Sequence, residues 1–102
     1  MSSVKVEFRI NTKSANEVYI VGSVPQLGSW DVKKAIKLEK NDAGIFTVSK
    51  LLATGQLVEF KILADKDWSR VEKGVYNEEI QNHIIAPEKG LIVELDVARF
   101  NK

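Results

Sequence analysis

The sequence predicts an all-β, immunoglobulin-like antiparallel β-sandwich of seven to eight strands. Short apolar segments alternate with a period of two, and turn residues separate them every eight to twelve positions or so. No segment sustains the 3.6-residue apolar period of a helix. A chain of 102 residues is read as a single domain spanning 1–102, and it buries about two-thirds of the surface its unfolded form exposes.

Each element follows from its pattern. Val4, Val6, Phe8 and Ile10 alternate with Lys5, Glu7 and Arg9, a strand with one dry and one wet face. Asn11 to Asn16 is polar and turn-like. Glu17 to Val21, with Val18 and Ile20 on one face, is expected to pair antiparallel with the first strand. A helical turn over 31–35, capped by Asp31 or Ser29, leads to a short strand at Ile36-Lys37-Leu38. Lys40 to Gly44 is a hairpin turn in which Gly44 suits a positive φ.

Ile45 to Leu51 alternates, but its pattern leaves open which face is buried. Leu57 to Leu63 is the most apolar strand, with Val58, Phe60 and Ile62 facing one way and Lys61 the other. After the polar turn Asp65-Lys66-Asp67 stands Trp68. A strand over 80–85 and another over 91–97 complete the set, with Phe100 expected to close the bottom of the sandwich. Both prolines fall outside strand interiors, as ladder pairing requires.

Composition excludes several classes of function. Fifteen basic and fourteen acidic residues leave a net charge of +1, with no basic stripe for nucleic acid. Without cysteine there are no disulfides, thiolate metal sites or thiol nucleophiles. No apolar run approaches the ~20 residues of a membrane helix, and the N-terminus lacks a signal-peptide core. The expectation is a cytoplasmic protein if the chain is complete. A domain excised from a larger enzyme would carry no such information.

Val18 to Asp31 organises the rest. A β-branched strand stops at Gly22, and a loop containing Pro25 and Gly28 ends on Trp30. A rigid loop tipped with a large aromatic at a sandwich edge is a common way to build a binding site. The ordered set Val21-Gly22-Ser23, Leu27-Gly28-Ser29-Trp30, Glu59-Phe60-Lys61-Ile62 and Trp68, seven residues after Lys61, resembles the starch-binding domains, the family 20 carbohydrate-binding modules. The Lys61-to-Trp68 spacing is similar to that in the related glycogen-binding domain of the AMP-activated kinase β subunit. The resemblance runs from about Val4 to Val97.

Glucans present apolar CH faces edged with hydroxyls, which exposed aromatic rings and polar side chains can hold. Trp30 and Trp68, both beside loops, are the candidate stacking residues; the competing reading places each in the core. Lys61 alone reads as a solvent-facing strand lysine. The resemblance implies instead that it donates to sugar hydroxyls, and that Asn82 does likewise with an amide that both donates and accepts. Glu72 is a secondary candidate, following Val71 where many relatives carry Trp-Glu; here the tryptophan is displaced to Trp68. Tyr76, Asn77 and Glu78 are further rim candidates. Many family members have a second aromatic site, but the regions around Ser14 and Lys40 to Asp42 hold no aromatic, so one site is expected.

Catalysis finds little support. His83 is the only histidine and lacks a nucleophile elbow, so a structural role is the better reading. Glu78 and Glu79, or Asp65 and Asp67, read as solvated loop carboxylates rather than a glycosidase pair. No phosphate loop or metal cluster appears, and no cofactor is expected. The function expected is noncatalytic binding of an α-1,4-glucan such as starch, glycogen or a maltooligosaccharide, holding a catalytic partner near the polysaccharide. The alternative is a structural or protein-interaction sandwich that has lost the sugar. A small hydrolase ranks a distant third.

Overall fold

Two four-stranded sheets enclose the apolar residues that the period-two pattern marks. The computed structural model describes residues 2–101. One sheet has the order β4-β5-β1-β9, built from Glu39–Lys40, Phe46–Ala53, Ser3–Asn11 and Ile92–Asp96. The other has the order β3-β2-β6-β8, from Ile36–Lys37, Tyr19–Gly22, Val58–Leu63 and His83–Ile85. A small ribbon pairs β7 (Glu72–Lys73) with β10 (Arg99–Phe100). Three single-turn 3₁₀ segments, at Pro25–Leu27, Val32–Lys34 and Trp68–Arg70, sit in connections.

The inward residues are those of one parity. Val6, Phe8 and Ile10 of β1 and Val58, Phe60 and Ile62 of β6 are all buried. Phe8 and Phe60 meet edge to face across the two sheets, with ring centroids 5.3 Å apart. Burying each ring contributes roughly 1.5–3 kcal/mol, and such a pair adds about 0.5–1.5 kcal/mol. Phe100 is buried in the same core, as its place at the bottom of the sandwich suggested. The open question at residues 45–51 is resolved by register: Phe46, Val48 and Leu52 lie opposite Ile10, Phe8 and Val4, and share their inner face.

One expected pairing is corrected. The first two strands do not pair; β1 lies between β5 and β9, whereas β2 lies between β3 and β6. Alternation fixes which side of a strand is dry but not its neighbour, and the polar 11–16 segment crosses between sheets instead of making a tight hairpin. The last strand runs parallel to β1, while every other pairing within the named strands is antiparallel. The chain changes sheets again at Leu38, between β3 and β4. That residue is buried, and its N–H donates to the Val18 carbonyl at 2.9 Å.

The outer face of the second sheet departs from a simple wet surface. Tyr19, Val21 and Leu63 point outward yet are buried, forming a second apolar cluster with Ala35, against which Trp30, Val32 and Val71 pack. Tyr19 is therefore a packing residue. The loop after β2 folds back to cover this face, and that places the site.

Candidate functional site

The loop that carries Trp30 is fixed by backbone geometry. A Cβ on Gly22 would lie 2.6 Å from the Glu59 carbonyl oxygen and 2.8 Å from Leu27 Cδ1, so only glycine allows this approach. Ser23 continues the β6 ladder by donating its N–H to the Glu59 carbonyl, while its hydroxyl accepts from the Glu59 N–H at 3.0 Å. Leu27 is buried in the core, and Gly28 takes a left-handed φ of 84°. Ser29 and Trp30 follow with positive φ of 47° and 63°, uncommon for such residues. The Trp30 N–H donates back to the Gly22 carbonyl at 2.8 Å, holding that turn closed. Asp31 caps the next turn by accepting from the Lys33 N–H.

The Trp68 turn has its own cap. The Asp67 carboxylate accepts from the Ser69 N–H at 2.9 Å. Hydrogen bonds from the Ser69 backbone and side chain hold the Asp67 pKa below its ordinary value. Beyond the turn, Leu63 bridges to Val71, and Ala64 N–H donates to the Arg70 carbonyl.

These two segments bring the indoles together. The Trp30 and Trp68 ring centroids are 6.1 Å apart, with planes inclined by 37°. Trp68 is 42% exposed; Trp30 is half-buried against the outer apolar cluster. Neither belongs to the inter-sheet core, and Trp30 presents only part of its ring. Lys61 projects from the same outer face, and its ammonium donates to the Ile80 carbonyl, leaving two of three donor positions. Lys61, Trp68, Val71, Glu72, Lys73, Glu79 and Ile80 line a shallow cleft of about 190 Å³.

The remaining candidates are less centrally placed. Glu72 is only 3% exposed and forms part of the cleft floor. Its Oε1 accepts from the Ile62 N–H at 3.0 Å and lies 2.8 Å from His83 Nε2. It ties β6, β7 and β8 together, a bracing position that the sequence did not indicate. His83 also stacks on Phe60 at 5.1 Å, in keeping with a structural histidine. Asn82 is exposed just before β8, donating to Glu59 Oε1 at 3.3 Å, and does not line the Trp68 cleft. Tyr76 is 89% exposed, and Asn77 lines a different cavity. Lys73, Ile80 and Glu79, the last read from sequence only as a solvated loop carboxylate, line the cleft without having been expected at a sugar site, because nothing in period-two alternation marks a residue that reaches a site from a loop or a two-residue strand.

Among the described residues no group of three or more metal-ligating side chains forms, and no helix is long and apolar enough to cross a membrane. A small sandwich with an aromatic pair and polar cleft on one outer face belongs to the class of β-sandwich binding modules. Residues 3–91 match the family model described as starch binding domain, and the chain belongs to that family, a noncatalytic carbohydrate-binding module.

The chain is also similar to short stretches of two larger proteins. Glucoamylase-1 of Arthroderma benhamiae is 54% identical over 35 residues, covering 32% of this chain and 6% of that protein. A cyclomaltodextrin glucanotransferase of Klebsiella oxytoca is 40% identical over 50 residues, covering 49% of this chain and 8% of the enzyme. The chain thus spans under a tenth of these relatives. The solved family 20 module of the maltotetraose-forming amylase from Pseudomonas saccharophila aligns over 91% of this chain and 99% of its own, with 28% identity and a TM-score of 0.65. The Hypocrea jecorina glucoamylase structure covers 96% of this chain and 18% of its own, with a TM-score of 0.77 at 20% identity, a likeness of fold.

Proposed function

We propose that the domain binds α-1,4-glucan at one surface site, with Trp30 and Trp68 stacking on neighbouring glucose units and Lys61 donating to their hydroxyls. The observation that carries the reading is the indole pair, adjoining at 6.1 Å and tilted by 37°. An α-1,4 linkage bends the glucan, so successive rings do not share a plane and an angled platform suits them better than a flat one. Asn82 meets the chain further along the sheet, and Glu72 shapes the cleft floor from within. One shallow, wet site gives a Kd on the order of 10 µM to 1 mM, about −7 to −4 kcal/mol. The module holds a catalytic partner, in the same chain or another, close to starch or glycogen.

Tryptophan fluorescence during titration with maltoheptaose or β-cyclodextrin tests this. The expected result is a saturable blue shift or quenching that Trp68→Ala removes. A flat titration of folded wild-type protein would favour the protein-interaction reading. That alternative draws support from Leu57 and Ile84, which are 69% and 58% exposed on and beside the edge strand β8, an apolar spot of the kind partners cover.

A further inference from the structure

The 3₁₀ turn that begins at Trp68 ends at Arg70, and Arg70 lines a separate cleft that the glucan reading leaves unused. This cavity, about 640 Å³, is bordered by Ser14, Arg70, Asn77, Arg99, Phe100 and Asn101, with no acidic side chain among the described residues that line it. Among the described residues neither Arg70 nor Arg99 makes a salt bridge. Arg70 is half-buried, and its Nε is closed off from solvent without an acceptor among those residues. A guanidinium cannot shed its proton, and a buried donor left unpaired is costly. With Nε enclosed, the terminal Nη groups are the part of the fork available to a ligand.

The surrounding contacts hold the cleft in shape. Asn101 donates its side-chain amide to the Ser69 carbonyl at 2.8 Å and its backbone N–H to the Val71 carbonyl. Ser14 spends its hydroxyl proton on the Ala98 carbonyl. Asn77, at φ 64°, is held by its N–H to the Gly74 carbonyl, which leaves its side-chain amide as a neutral donor. Two guanidiniums and an amide, with no carboxylate among the described lining residues, match the forked oxygens of a tetrahedral oxyanion.

We propose that this cleft binds a phosphate-type oxyanion, with Arg70 and Arg99 as its cationic donors and Asn77 as a third. The cavity exceeds what a bare ion fills, so the ligand expected is a phosphomonoester of a small hydroxylated molecule. The site does not depend on the glucan reading.

The experiment follows the arginine Nε–H and asparagine amide resonances by NMR at low ionic strength, where charge attraction is least screened. The probes are inorganic phosphate and glucose 6-phosphate, with glucose and chloride as controls. Saturable shifts at Arg70 and Asn77 with both phosphates, stronger for glucose 6-phosphate and absent with the controls, are expected. Arg99 is exposed, so Arg99→Gln leaves the fold intact and should weaken binding about tenfold, with the β-cyclodextrin titration unchanged. Arg70→Gln should do at least as much. No saturable shift with either phosphate, or unaltered affinity in Arg99→Gln, would overturn the proposal.

Discussion

A carboxylate with 3% exposure must be satisfied from within, and Glu72 receives a backbone N–H and a histidine nitrogen. Glu72→Ala strands the Ile62 N–H and is expected to destabilise the domain by about 2–3 kcal/mol, with Glu72→Gln costing roughly half as much, measured by urea unfolding. The two tryptophans should separate in the same assay. Trp68→Ala should stay within about 0.5 kcal/mol of wild-type stability while losing tenfold or more in glucan affinity, about 1.4 kcal/mol. Trp30→Ala should lose affinity and also roughly 1–3 kcal/mol of stability, because the side chain packs against the outer apolar cluster. Asp67 sets a pH response. Its pKa is lowered in the fold by the Ser69 bonds, so the contribution is complete above the unfolded value of about 3.9 and lost as pH falls through the lowered one. Trp68 emission should therefore change at acid pH below about 4, and Asp67→Asn should abolish that transition.

The Gly22–Trp30 loop shows how much of an element is legible in residue types. Gly22, Gly28 and the Trp30 position could be read as a structured loop with an aromatic tip, because glycine punctuation and proline report backbone constraint directly. The reason for the glycine was not legible: it lies in the Glu59 carbonyl, 37 positions along the chain. Gly22→Ala should cost about 2 kcal/mol or more and displace Trp30, seen as lost thermal stability together with weaker glucan binding. The β8 region shows the opposite case. Alternation suggested a strand over 80–85, yet only His83–Ile85 pairs, and the Ile80 carbonyl accepts from Lys61 instead. Period-two patterning cannot foresee a side chain that takes a carbonyl out of reach of the ladder.

For the molecule as a whole, inward parity was legible in β1 and β6 because burial imposes alternation on both. Strand partners were not, since the parallel β1–β9 pairing and the separation of β1 from β2 depend on crossovers rather than local pattern. The meeting of Trp30 with Trp68 likewise depends on two loops distant in sequence converging on one another. The resemblance to a known family pointed to it; spacing alone did not. A ¹H–¹⁵N NMR titration with maltoheptaose puts that convergence to the test. Both indole N–H resonances and the backbone amides around Lys61 should shift along one saturable curve, while the β1–β5 face stays still. Saturation with both indoles unmoved, or no saturation in folded protein, would contradict the glucan-binding account.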